Sequence, residues 1–502
     1  MSLVEELETV LTENGAVMNK TSGNQLIDLN FSIPNLRKLA LRKNYDGLYK
    51  KFMHAYLEDK EYALRWLLYL RDVSEGIGER ASFRGLLIAI SKNNKELLHK
   101  LLTLDLPSFG RYDDIISIYR DVDEESKDII INKIKTQLDK DIQNINTKNI
   151  SLLAKWMPSA KTSNKKQKRL AEILARKMNI PIRNYRKILS SLRKAINVIE
   201  VKMCNNEWDS INYEHVPSKA NLKYANAFMK HDSERRSQYI EDVKNNKKKI
   251  NASVVFPSDI VHQYSHGEMW NSSVKAYNQD IENMWNNQKV FENFQDTLIV
   301  RDGSGSMTIA APGTNITCLE VADALTLYCC QNNKGMYKDK FITFSSRPSV
   351  VDISDCNSLH DKLVRLRQED DCSNTNIQAT FDLLLETAVM NNLSQEELPK
   401  NVLIISDMEF DACTYHHNQN KLFTEIGKEW EDAGYILPRL IFWNVNSRTG
   451  GIPINRHSSG TILMSGYSQN LLKMAMSSEI DPWKALKEVL DNKRYDCVKK
   501  IL

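Results

Sequence analysis

Over residues 1–290 apolar residues return every three or four positions, the spacing of one face of an α-helix. In EYALRWLLYLRDV (61–73), Leu64, Leu67, Leu68 and Val73 keep that spacing. FRGLLIAISK, ELLHKLLTL, DDIISIYRDV, QKRLAEILARKM and YRKILSSLRKAI continue it, separated by short polar or Pro- and Gly-bearing joints. Strand-like alternation is scarce. The pattern predicts stacked helical pairs, an α-solenoid of HEAT-like kind, with no repeat period clean enough to name a class.

Near Phe291 the texture changes. DTLIVRD (296–302), KFITFSS (340–346), NVLIISD (401–407) and ILPRLIFWNV (436–445) are short apolar runs. Amphipathic segments at 318–333, 377–391, 418–432 and 468–476 separate them. Strands alternating with helices predict βαβ units around a parallel sheet covered on both faces. The expected organisation is therefore a helical domain over 1–290 and a doubly wound, Rossmann-like α/β domain over 291–502. A chain of 502 residues is long enough for two such cores. The polar stretch 230–251 reads as a helix plus loop near the boundary.

Composition adds exclusions. With 42% hydrophobic and 26% charged residues, the chain reads as soluble and globular. No run approaches the ~20 apolar residues of a membrane helix. MSLVEELETVLTENGAV (1–17) lacks the basic and apolar regions of a signal peptide. Eight scattered cysteines, with no CxxC pair, suggest neither a zinc ribbon nor a disulfide framework. A reduced, cytoplasmic setting and a monomer are expected.

Charge changes the picture more. The net +4 divides into 47 Lys+Arg against 36 Asp+Glu over 1–290, and 21 against 28 over 291–502. Within 155–202 stand fourteen basic residues: Lys155, Lys161, Lys165, Lys166, Lys168, Arg169, Arg176, Lys177, Arg183, Arg186, Lys187, Arg193, Lys194 and Lys202. Only Glu172 and Glu200 oppose them. Such a surface attracts phosphates and releases counterions on binding them, so the cluster reads as an RNA-binding surface. Trp156 and Trp208 flank it and can stack on unpaired bases, or can serve as core residues. In YLRDVSEGIGERASFRG (69–85), Gly76 and Gly78 predict a turn between helices. Arg71, Arg80 and Arg84 would face a ligand or pair locally with Asp72, Glu75 and Glu79.

In open α/β sheets, ligands bind beyond the carboxyl ends of the strands. Asp302 ends the first predicted strand of that half, and Ser304 and Ser306 follow. Asn374, Thr375 and Asn376 open a predicted helix, and Asp407 ends another strand, followed by Glu409 and Asp411. Carboxylates and hydroxyls are hard oxygen donors, suited to Mg²⁺, Mn²⁺ or Ca²⁺ rather than zinc. The other reading is that Asp302 and Asp407 cap turns or helices. Glu409 and Asp411 are expected to face solvent. His416, His417 and His457 are not grouped with a nucleophile, so a non-enzymatic role is expected. RDGSGSMT lacks the phosphate-loop pattern.

The order D-x-S-x-S at Asp302, Ser304 and Ser306, then Thr375, then Asp407 resembles a von Willebrand factor A-type (vWA) domain with a metal-ion-dependent adhesion site (MIDAS). The resemblance implies that the serines and Thr375 coordinate a divalent cation, Mg²⁺ first, with the aspartates binding directly or through water. It also implies an open position for an acidic residue of a protein partner. The usual Gly-Gly before the threonine is replaced by Ser373 and Asn374. Helices followed by such a domain resemble the plan of the Ro autoantigen (TROVE) proteins, RNA-binding rings. The motifs resemble more closely a family of uncharacterised TROVE-like proteins from eukaryotes, bacteria and viruses. They are TENGAV (12–17), LIDLNF (26–31), YLRDVSEGIGER (69–80), KWMPS (155–159), LRKAINVIEVKM (192–203), VPSKANLKYANAF (216–228) and SDMEFD (406–411). The Ro resemblance implies binding of misfolded or small structured non-coding RNA. A scaffold that grips protein instead of RNA is the alternative.

Overall fold

The computed structural model describes residues 9–147, 149–265, 274–344, 347–369, 376–411, 422–453, 460–479 and 481–502. The first half is helical. Polar caps set the breaks that periodicity predicts. Asp59 accepts from the Tyr62 amide at 3.0 Å and opens the helix Lys60–Arg71. Asn94 ends the helix Ala81–Asn93 and caps Lys95–Thr103 through the Leu97 amide. Lys60–Arg71 is buried on every face from Ala63 onward, so it lies at the centre of the packing rather than on its rim. The run DDIISIYRDV breaks at Ile118, earlier than its periodicity suggests, because Asp123 caps the next helix, Glu124–Gln143. The polar stretch after residue 230 forms the helix Ser233–Lys244 and a turn.

A short antiparallel hairpin, β1 (Thr9–Leu11) and β2 (Val17–Asn19), precedes the helices. The second half carries a six-stranded sheet of β3 (Thr297–Asp302), β4 (Lys340–Phe344), β5 (Val350–Asp352), β6 (Asn401–Ser406), β7 (Arg439–Asn444) and β8 (Thr461–Ser465). The spatial order is β5-β4-β3-β6-β7-β8, with β5 antiparallel and the other neighbours parallel. The apolar runs predict β3, β4, β6 and β7. They miss β5, a three-residue edge strand, and β8, a short run between Gly460 and Gly466. Inside β3, the Arg301 guanidinium is neutralised by Asp323 of the helix Cys318–Asn332 at 2.6 Å.

The two halves are laced together. Asn444 donates to the Phe31 carbonyl at 2.8 Å, and Ser465 to the Asn30 carbonyl at 2.5 Å. Arg494 and Tyr495 donate to Asp72 at 2.7 and 3.0 Å, and Arg65 reaches Asp496 at 2.6 Å. Among the described residues no helix is long and apolar enough to cross a membrane.

Candidate functional site

The chain passes from β3 outward to β4 and β5, then returns to build β6, β7 and β8 on the other side. The carboxyl ends of β3 and β6 therefore flank the point where the winding reverses, where open α/β sheets form their binding crevice. Asp302 ends β3 and Ser406–Asp407 end β6. Parallel register places Arg301 beside Ile405, and so Asp302 beside Ser406. The Ser406 hydroxyl donates to Asp302 Oδ2 at 2.5 Å, and the Ser304 amide to Asp302 Oδ1 at 2.9 Å. The Ser304 and Ser306 hydroxyls lie 3.0 Å apart. Asp302, Ser304 and Asp407 are buried.

Burial raises the pKa of both aspartates, and the Asp302 carboxylate raises that of Asp407 further. Two buried carboxylates at the ends of neighbouring strands cannot both hold their charge cheaply without a cation. Asp407 Oδ2 is buried and accepts no hydrogen bond among the described residues, and Arg448 stands 3.5 Å from it. Paired carboxylates, two adjacent hydroxyls and an orphaned oxygen fit a hard divalent cation. Among the described residues no three His, Cys, Asp or Glu side chains converge to hold a metal ion. Thr375, Ser373 and Asn374 lie outside the described residues, as do His416, His417 and His457. Asn376 is described, and its Oδ1 caps the helix Ile377–Met390 through the Ala379 amide at 3.0 Å. That oxygen serves the helix rather than an ion.

The expectation that Glu409 faces solvent is overturned. Its carboxylate is buried and accepts from the amides of Glu13 (3.0 Å), Arg448 (2.7 Å) and Thr449 (2.9 Å), and from the Thr449 hydroxyl. The loop between β1 and β2 supplies part of this shell. Thr12 donates to the Phe410 carbonyl at 2.6 Å, Asn14 to the Glu409 carbonyl at 2.8 Å, and Gly15 bridges Asp411. Asp411 is thus half-buried under the hairpin rather than free in solvent. Glu13 also pairs with Arg448 at 2.7 Å. The quoted stretches TENGAV and SDMEFD, remote in sequence, meet here.

The basic cluster occupies two successive helices, Lys165–Lys177 and Ile182–Ala195. Asn164 caps the first; Asn179, at φ 56°, and Pro181 turn the chain into the second. Leu170, Ala171, Leu174 and Ala175 on one helix, and Tyr185, Leu189 and Leu192 on the other, face the core. The opposite faces expose Lys165, Lys166, Lys168, Arg169, Arg176, Arg183, Arg186 and Lys187, with Lys161 exposed just before them. Among the described residues, the only ion pair from 155–202 is Lys177 to Asp128, at 3.8 Å. Lys165 and Lys166 stand in a first turn that holds no acid, where the helix dipole favours anions.

Arg193 departs from the expected role. Its guanidinium turns inward and donates to the carbonyls of Ala154 (2.8 Å) and Met157 (2.7 Å) and to the Ser159 hydroxyl (2.8 Å). It braces the KWMPS bend instead of presenting charge. Lys155 is half-buried and leans on Trp156, 5.8 Å from its ring centroid. Trp156 and Trp208 are partly buried against the core, and Trp208 stacks on His231 with centroids 4.5 Å apart.

In 69–85 the charges other than Arg80 do pair, but not locally. Arg71 binds Asp114 at 2.7 Å, and Arg84 binds Asp113 and Asp114 at 2.7 and 2.8 Å. Glu75 takes Lys473 and Lys289, Glu79 takes Arg37, and Asp72 takes Arg494. Pocket-like space also lies between helices 95–103 and 124–143, an open groove of about 430 Å³ lined by Leu102, Ile115, Ile129 and Lys133 among others.

Residues 296–500 match a family model described as a domain of unknown function (DUF7788). Residues 179–299 match a second, also described as a domain of unknown function (DUF2828). The chain is similar to the uncharacterized protein L728 of Acanthamoeba polyphaga mimivirus, with 29% identity covering 96% of this chain and 87% of that protein. Among solved structures it aligns with the crystal structure of the Deinococcus radiodurans RO (RSR) protein. That alignment covers 91% of this chain and 92% of that chain at 14% identity and a TM-score of 0.31.

Proposed function

We propose that this is a non-enzymatic, cytoplasmic RNA-binding protein in which an outward basic helical pair takes RNA. The observation that carries the reading is the basic charge on Lys165–Lys177 and Ile182–Ala195: exposed apart from Arg193, opposed in these helices only by Glu172, and almost unpaired among the described residues. A surface that only needed solubility would mix signs, and charge at this density is stabilised by a polyanion. Small structured RNA with a single-stranded end is the expected ligand.

The second half is proposed to be a vWA-type domain whose MIDAS binds Mg²⁺ and, through it, an acidic residue of a protein partner. Asp302, Ser304, Ser306 and Asp407 would hold the ion, with Thr375 completing the set. The cation would supply the positive charge that the buried carboxylates lack.

The deciding measurement is salt-dependent binding of a small RNA hairpin with a single-stranded tail, followed by fluorescence anisotropy. A surface touching six to ten phosphates loses roughly 10³–10⁵ in affinity between 50 and 200 mM salt. No binding at low salt overturns the reading and leaves a protein scaffold in its place.

A further inference from the structure

The arginines of 69–85 and their neighbours do not cancel. Asp114 receives Arg71 and Arg84, and its Oδ2 also accepts the Arg111 backbone amide at 2.9 Å. Asp113 is taken by Arg84. Two carboxylates therefore serve Arg71 and Arg84, and Arg111 feels the charges of Arg80 and Arg71 as well as those of both carboxylates. The Arg111 and Arg80 side chains form no ion pair among the described residues. The space around Gly110 is filled by this network. A Cβ there would meet Arg71 Cζ at 2.6 Å and Asp114 Oδ2 at 2.3 Å, so no further side chain fits there to neutralise the excess.

Arg111 instead lies over the indole of Trp156, 4.7 Å from the ring centroid, and Lys155 leans on the same ring at 5.8 Å. Arg111 is half-buried, and its pKa is lowered by burial and by the like charges of Arg80 and Arg71. The carboxylates near this half-buried cation, Asp113 and Asp114, are already taken by Arg71 and Arg84, so an added anion would offset its desolvation while the ring keeps its cation–π contact. The ring supplies the stacking surface and the cations supply the phosphate contact, the pairing used to hold a single-stranded nucleotide.

We propose that Arg111 and Lys155 on Trp156, with neighbouring Arg80, form a site for one nucleotide of single-stranded RNA, distinct from the basic helical pair. This rests on the RNA-binding reading and adds to it a place for an unpaired base. The phosphate would meet the cations while the base stacks on the Arg111–Trp156 pair. The helical pair, by contrast, offers charge without an accessible ring.

The test uses the full chain and a fluorescein-labelled, 5′-phosphorylated uridine decamer, followed by anisotropy, with an abasic decamer as the stacking control. Arg111→Met and Arg80→Met should each weaken decamer binding about tenfold and lower the salt slope by about one. Trp156→Leu should remove the preference for the uridine over the abasic strand. Arg111→Lys, which keeps the charge and loses the planar stack, should fall between. Arg80 is exposed, so its variant should melt as the parent does and guards against misfolding in the others. If these variants bind like the parent while Lys165, Lys166, Lys168 and Arg169 changed together to Glu lose binding, the site is overturned and the RNA reading stands. If the parent ignores both strands at low salt, the RNA reading and the site fall together.

Discussion

The end of the sheet and the basic helical pair solve opposite electrostatic problems. At the sheet end, Asp302, Asp407 and Glu409 are all buried. Glu409 is satisfied by four donor groups, while Asp407 Oδ2 accepts no hydrogen bond among the described residues and has Arg448 3.5 Å away. On the helices 165–177 and 182–195 the charges other than Arg193 lie in solvent and are almost unpaired among the described residues. Within the sheet end, a fully bonded carboxylate holds structure, and an incompletely bonded one is where the proposed ion would sit. On the helices, solvation makes unpaired charge cheap to keep and available to a polyanion.

The sharpest way to break this contrast is Glu409→Ala. It removes the acceptor for three backbone amides and leaves them buried, so we expect a loss of roughly 3–5 kcal/mol, read by urea denaturation. A loss below about 1 kcal/mol would mean that the hairpin and the Arg448 loop find other partners. Next in size, changing Lys165, Lys166, Lys168 and Arg169 together to Glu should cut RNA affinity by about 100-fold or more near 100 mM salt. The same exposed changes should move stability by only about 0.5 kcal/mol each. Unchanged affinity would place the RNA elsewhere.

At the sheet end, saturating Mg²⁺ or Mn²⁺ should add about 2–3 kcal/mol of stability when the ion stands near 100 times its Kd. Asp302→Ala with Ser304→Ala should abolish the rise in Tm. A double mutant that still responds would move the ion away from β3. The smallest effect concerns His262, whose Nδ1 lies 2.8 Å from Glu320. Glu320 raises the His262 pKa, so this pair's contribution is complete below about pH 6.5 and lost as pH rises through the higher folded value. Hydrogen bonds from His262 and its neighbours hold Glu320 low against the opposing effect of burial, so its contribution is lost in acid, below its unfolded range. Denaturation between pH 5.5 and 8.5 should show a decline of about 1 kcal/mol or less that His262→Gln flattens.

Local pattern made the strands β3, β4, β6 and β7, the aspartates at the ends of β3 and β6, and the strongly basic helical faces legible. Periodicity reports which face of a segment is buried, and a cluster of fourteen cations against two acids cannot neutralise itself nearby. What stayed hidden depends on distant partners. Glu409 looked like a solvent residue because its donors come from Glu13 and from Arg448–Thr449. Arg193 looked like its neighbours because nothing nearby in sequence marks the carbonyls of 154–157 that claim it. Arg71 and Arg84 pair with Asp114 and Asp113 rather than with the acids beside them. The KWMPS proline offered one signal, since a bend without helical bonding leaves carbonyls in need of donors.

The hairpin over 9–19 also sets a timetable. Its partners at 409–411 and 452 leave the ribosome about 400 residues later, roughly 20–80 s at ordinary synthesis rates. For that interval a strand pair made to cover the sheet end has nothing to cover, and its backbone edges are open to the wrong partner. Closing such distant contacts is slow even once synthesis ends. Even after residues 409–411 arrive, the hairpin's contact with Ile452 and the strands β7 and β8 beside it are still to be made.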